Sequence, residues 1–114
     1  MSEIDLIVQN LQHEMKRGIL VLVVITQLEN LQYGYSLIQD LKMKGFVIEQ
    51  NTLYPLLRRI EKQGLLESVW QIENNRTRRY YKTSKLGLEV KEKLTKDWNV
   101  MIKTLSNILG GKND

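Results

Sequence analysis

The 114-residue chain has no cysteine, one proline, one histidine and one phenylalanine. Without cysteine, disulfides, thiolate metal sites and cysteine nucleophiles are all excluded. The single histidine, His13, stands among helix-surface residues with no carboxylate pair near it. Acid–base catalysis and histidine metal ligation therefore lack the partners they need. Neither a nucleophile turn nor a phosphate-cradling glycine loop occurs, so no enzyme, metal or cofactor is expected. Long apolar runs are missing too. The longest, Ile19 to Ile25, is seven residues, against about 20 for a bilayer span. Glu3 and Asp5 stand where a secretory leader needs positive charge. The expectation is a soluble cytoplasmic protein with no membrane partner.

What is present is charge gathered in one place. Between residues 51 and 87, eight Lys or Arg (58, 59, 62, 76, 78, 79, 82 and 85) face three Glu (61, 67 and 73), a balance of +5. The net charge of the whole chain is +4, so everything else sums to −1. Basic charge this concentrated is an electrostatic footprint for phosphate, whereas evenly spread charge only aids solubility.

Hydrophobic spacing sets out the elements. Ile4, Ile7, Val8, Leu11 and Met15 recur at helical intervals. The β-branched stretch around Val21–Ile25 suits a buried strand by propensity. Its helix-tolerant flanks favour a buried helix over Gly18–Leu28 instead. A turn is expected over Glu29–Gln32, then a helix from about Gly34 to Lys44, stopped by Gly45. The next helix carries the stripe Leu53, Leu56, Leu57 and Ile60, with Asn51 or Thr52 as its cap. Pro55 is expected in its first turn and Gly64 at its end. A strand over Leu66–Glu73, an Asn74-Asn75 turn and a returning strand over Arg78–Thr83 follow. Ser84 then caps a last helix to about Leu109, with Gly110-Gly111 and a polar tail beyond.

The fold class expected is mainly α (α+β): a winged helix-turn-helix with an N-terminal helix and a long C-terminal dimerisation helix. Residues 1–86 would form the winged-helix DNA-binding domain, and residues 87–114 the dimerisation helix and tail. Burying the leucine stripe turns Tyr54, Arg58, Arg59 and Lys62 outward, and arginine matches the paired acceptors of guanine in a major groove. Arg76, Arg78 and Arg79 on the hairpin suit a minor groove or a phosphate backbone. The same arginines could instead be solvated charges that protect a strand edge. Tyr80 and Tyr81 should point to opposite faces, one into the core. In the last helix Leu94, Trp98, Met101, Leu105 and Ile108 are spaced by 4, 3, 4 and 3 residues, a seam fitted to a partner helix. A homodimer would present two reading heads to a palindromic operator on double-stranded DNA. A tryptophan in that seam serves as an interface anchor, or its pair lines a pocket for a flat aromatic molecule.

Several segments carry a family likeness: Lys16-Arg17-Gly18, Tyr33-Gly34-Tyr35-Ser36-Leu37, Thr52-Leu53-Tyr54-Pro55-Leu56-Leu57-Arg58-Arg59-Ile60, Gly64-Leu65-Leu66 and Arg79-Tyr80-Tyr81-Lys82 with Gly87. On these residues the chain resembles the PadR family of bacterial transcriptional repressors, over about residues 12 to 110. The short C-terminal region with its central tryptophan is similar to the small multidrug-sensing subgroup. The resemblance implies a winged-helix homodimer whose last helix packs on the partner's first. It implies that Tyr33, Tyr35, Asn51, Thr52, Tyr54, Pro55, Arg58 and the wing arginines face DNA. It further implies that Trp98, Met101, Ile102, Leu105, Gln12 and Ile19 surround a planar aromatic effector. The wing has Asn-Asn-Arg-Thr where the family often has Gly or Pro, and Thr83 stands where leucine is usual.

Overall fold

The computed structural model describes residues 1–110. Gly110 caps the last helix, and the second glycine and polar tail expected after it lie outside the described residues. The first helix, α1 (Glu3–Gln27), is continuous, so the two stretches read from the sequence are one element. Ser2 starts it with a capping box: its hydroxyl accepts from the Asp5 amide, and the Asp5 carboxylate accepts from the Ser2 amide. The β-branched stretch is helical, and Val24 and Ile25 are fully buried in it. Tertiary burial here overrides a modest propensity for strand.

Gln32, expected to end a turn, instead forms with Tyr33 a two-residue strand, β1 (Gln32–Tyr33). Helix α2 (Gly34–Met43) follows at once, and Gly45 accepts the positive φ beyond it. Helix α3 (Gln50–Lys62) begins earlier than expected. Its cap is Glu49, whose carbonyl accepts from Thr52 and Leu53 at 3.0 and 2.9 Å, with no side-chain capping bond. Asn51 and Thr52 are therefore first-turn residues, and their side chains are exposed. Pro55 consequently sits a turn deeper than expected, where it withholds an amide from the Asn51 carbonyl. Leu53, Leu56, Leu57 and Ile60 are buried, as their spacing predicts. Each contributes roughly 1.5–3 kcal/mol by leaving water.

Strands β2 (Leu66–Glu73) and β3 (Arg76–Thr83) form the wing, and the sheet order is β1-β3-β2, all antiparallel. Pairing starts with Glu73 opposite Arg76, two residues before the expected start of the returning strand. Asn74 and Asn75 make this possible by taking φ of 50° and 64°, the two-residue hairpin geometry. Tyr81 is buried, and Tyr80 on the opposite face donates its hydroxyl to Glu73.

Helix α4 (Lys85–Leu109) is capped by Ser84, whose hydroxyl accepts from the Gly87 amide at 3.0 Å and donates to the Gly64 carbonyl at 2.6 Å. Gly87 is required by closeness: a Cβ there would lie 2.3 Å from the Leu65 carbonyl oxygen. Thr83 ties the wing to the end of α1. Its amide bonds the Leu28 carbonyl and its hydroxyl the Ile25 carbonyl, both at 2.7 Å. Helix ends leave such carbonyls without partners, so this buried hydroxyl has a definite task where leucine could only pack. Beyond the core both long helices project, and the radius of gyration is 16.9 Å, above the roughly 13 Å of a compact chain this size.

Candidate nucleic-acid interface

Sequence spacing turns one face of α3 inward, and the opposite face emerges as a ridge. Asn51, Thr52, Pro55, Arg58, Arg59 and Lys62 are all exposed along it. Tyr54 is half-buried at its edge and packs against Gly34, where an added Cβ would meet the ring at 2.4 Å. The start of α2 is thereby drawn close to the ridge, with Tyr33 half-buried and Tyr35 exposed beside it. The Tyr33 and Tyr35 rings stack at 6.5 Å, and Tyr33 meets Tyr80 at 5.4 Å.

The wing stands next to this ridge across an open cleft of about 310 Å³. Tyr54 and Arg58 line it from α3, Trp70, Arg78, Arg79 and Tyr81 from the wing, and Tyr33 from β1. Burial is the chief cause that pushes the Tyr81 hydroxyl above its ordinary pKa, and Arg79 opposes it. The hydrogen bond to Glu73 does the same for Tyr80. Both phenols are therefore neutral donors at ordinary pH, not anions repelling phosphate.

The three wing arginines occupy different situations. Arg76, at the tip, is exposed and has no ion pair among the described residues. Arg78 lies over the Tyr33 ring with its guanidinium carbon 4.4 Å from the centroid. Arg79 is held: its Nη2 donates to Glu61 Oε1 at 2.9 Å and its Nε to the Ser68 hydroxyl at 3.1 Å. Ser68 in turn donates to Glu61. The sequence treats these arginines alike. The eight-residue register separates them, because it puts Arg79 opposite Trp70 on the face toward α3. Glu61, Ser68 and Trp70 were not among the expected site residues; a correct hairpin register was the signal that could have found Ser68 and Trp70, and nothing local pointed to Glu61.

The residues expected around an effector are only partly gathered. Ile19, Trp98 and Met101 line an open groove of about 620 Å³ between α1 and α4, joined by Leu22, Leu94 and Asp97. Gln12, Ile102 and Leu105 are exposed outside it. Among the described residues no group of His, Asp or Glu is placed to hold a metal ion. No described helix is long and apolar enough to cross a membrane.

Comparison with known proteins agrees with this geometry. A sequence model of the transcriptional regulator PadR-like family matches residues 21–96. Transcriptional regulator Rv3488 of Mycobacterium tuberculosis is 33% identical over 85 residues, 75% of this chain and 77% of that protein. The crystal structure of a PadR family transcriptional regulator from Eggerthella lenta superposes with a TM-score of 0.91 at 41% identity, covering 95% of this chain and 96% of that one. A PadR-like transcriptional regulator from Bacillus cereus gives 0.76 at 29% identity over 87% of this chain and 99% of its own. The α3 ridge, the wing and the long flanking helices are thus those of a non-enzymatic regulator, and the chain belongs to the PadR-like family of transcriptional regulators.

Proposed function

We propose that the protein is a homodimeric repressor that binds a palindromic operator in double-stranded DNA. Residues 1–86 read DNA in this proposal, and residues 87–114 pair the two copies. The exposed α3 ridge and the wing beside it carry the reading. Arg58 and Arg59 face the base edges of a major groove, with Asn51, Thr52, Tyr54 and Pro55 at the helix start. Lys62, Arg76 and Arg78 serve the flanking phosphates, and Tyr33 and Tyr35 line the approach. Pairing is supported by apolar side chains that the single chain leaves in water: Ile4, Ile7, Leu11 and Met15 on α1, Met101, Leu105 and Ile108 on α4. A patch of this kind marks an interface. Twofold pairing would set two α3 helices roughly 34–36 Å apart, one turn of DNA.

A small planar aromatic molecule, seated on Trp98 and Met101 beside Ile19, would release the operator. Asp97 in the same groove favours a cationic one. Such release needs the molecule to bind the DNA-incompetent spacing better than the competent one. Gln12, Ile102 and Leu105 would join only once a second copy closes the groove. Tryptophan fluorescence during titration with planar aromatic cations tests this, with Trp98→Ala as control because Trp70 also emits. A signal that survives Trp98→Ala removes the pocket.

Salt-dependent binding to a palindrome tests this proposal, and Arg58→Ala combined with Arg78→Ala should abolish it. If the double variant binds as tightly as the parent, the chain is a helical interaction module instead.

A further inference from the structure

Arg79 is the most thoroughly engaged of the wing arginines, and its partner lies on the recognition helix itself. Glu61 sits in the last turn of α3, while Ser68 and Trp70 belong to β2. One guanidinium therefore joins three segments. It donates through Nη2 to Glu61 and through Nε to Ser68, with Trp70 and Tyr81 rings 5.5 and 5.6 Å from its carbon. Glu61 receives from both Arg79 and Ser68, so the three groups close a small ring. The Arg79 and Glu61 side chains are 35% and 23% exposed, so the pair is partly shielded from water and salt. An isolated exposed pair contributes little, but a planar fork held by two acceptors and two rings has little freedom left.

We infer that Arg79 is not a phosphate ligand but a positioning residue: with Glu61 and Ser68 it clamps the wing to α3 and fixes where the wing stands relative to the α3 ridge. This rests on the reading of α3 and the wing as one DNA surface. The geometry supplies the motive. Wing and ridge must meet the same duplex, and the wing is a two-stranded ribbon whose outer half, including Ile72 and the tip, is exposed. Ribbons of two strands are mobile without packing. The clamp ties this one down at its midpoint, opposite Trp70, with the arginine already spent on Glu61. Arg76 and Arg78 remain for the DNA.

The clamp makes a prediction of sign that a phosphate contact does not share. Glu61→Ala removes a negative charge beside the DNA surface and frees Arg79, so electrostatics alone would tighten binding. Loss of the clamp predicts the reverse: affinity for a duplex selected by the parent from a random pool falls about fivefold. The slope of log affinity against log salt stays as in the parent, since no phosphate contact is gained or lost. Arg79→Lys keeps the charge but has one nitrogen, which cannot span both acceptors; it falls by a similar factor, and the double variant falls no further. Hydrogen exchange on the free protein reads the clamp without DNA. Amides of residues 69–79 should lose about tenfold protection in both variants while α3 keeps its own. Unchanged exchange in the wing overturns the clamp, and so does tighter binding by Glu61→Ala with a steeper salt slope. A parent that binds no duplex at all defeats the proposed function, and the exchange result still decides whether the clamp exists.

Discussion

The α3–wing surface and the α1–α4 surface differ in how much of each a single chain completes. On the first, side chains hold one another: Tyr54 against Gly34, Arg78 on Tyr33, Arg79 on Glu61 and Ser68. The second is apolar and unfinished, with Met101 60% and Ile4 71% exposed. A polar surface must be preorganised within the chain, because its partner rewards fixed geometry and each loose arginine costs entropy on binding. An apolar seam needs no such arrangement before its partner arrives, since burial is non-directional. The joint between the two is small: Thr83, bonded to the end of α1, and Ser84, bonded to Gly64 just beyond α3, lead directly into α4.

The widest separation of the two surfaces comes from damaging the seam alone. Met101→Glu with Leu105→Glu places charge where the partner helix is proposed to pack, without touching the core of the chain. Sedimentation should show monomers, and affinity for a palindrome should fall at least about a hundredfold, the scale of lost bivalency. Binding to a single half-site should be unchanged. A variant that still sediments as a dimer would place the interface elsewhere. The converse damage is Arg58→Ala with Arg78→Ala. Dimers should persist while operator affinity falls by tenfold or more, at roughly 1–3 kcal/mol for a base contact, as read by fluorescence anisotropy.

The joint itself is tested by Thr83→Val. The substitution keeps shape but leaves the buried Ile25 carbonyl without its donor, at about 1–3 kcal/mol. A lower melting temperature is expected, with dimerisation and salt slope preserved. Thr83→Leu, which also lacks the donor but is larger, separates loss of the bond from loss of fit. If both variants melt like the parent, the bond to α1 contributes nothing.

Legibility followed the physics of each region. Period and punctuation disclosed α3, both glycine stops and the Ser84 cap, because these depend on residues close in sequence. The Asn74-Asn75 turn was legible for the same reason. β1 was not, since two residues show no alternation and exist as strand only by pairing with Tyr80 and Tyr81. The α3 cap was misplaced because Asn51 and Thr52 are good capping residues in the abstract, while the helix is capped two residues before Asn51, at Glu49. Arg79 and Arg76 look equivalent as letters. Their difference arises from register and from Glu61, eighteen residues away. Contacts of that range are invisible to local reading.

The smallest effect concerns Tyr81, which lines the cleft and is itself buried in the core. Burial raises its pKa above the ordinary 10.0, so the folded state favours the neutral phenol. The sign follows from proton counting. Above the unfolded pKa the folded chain binds the extra proton, and stability is lost as pH rises through the folded value. Stability from this group is fully present below about pH 10 and declines in the alkaline range. Tyr81→Phe keeps the ring in place and removes the titration. Thermal melts from neutral to alkaline pH should therefore fall less steeply for Tyr81→Phe than for the parent, with the two curves parallel below the tyrosine range. Parallel curves throughout would mean that the hydroxyl reaches water in the folded chain, and that the cleft wall is wetter than its burial indicates.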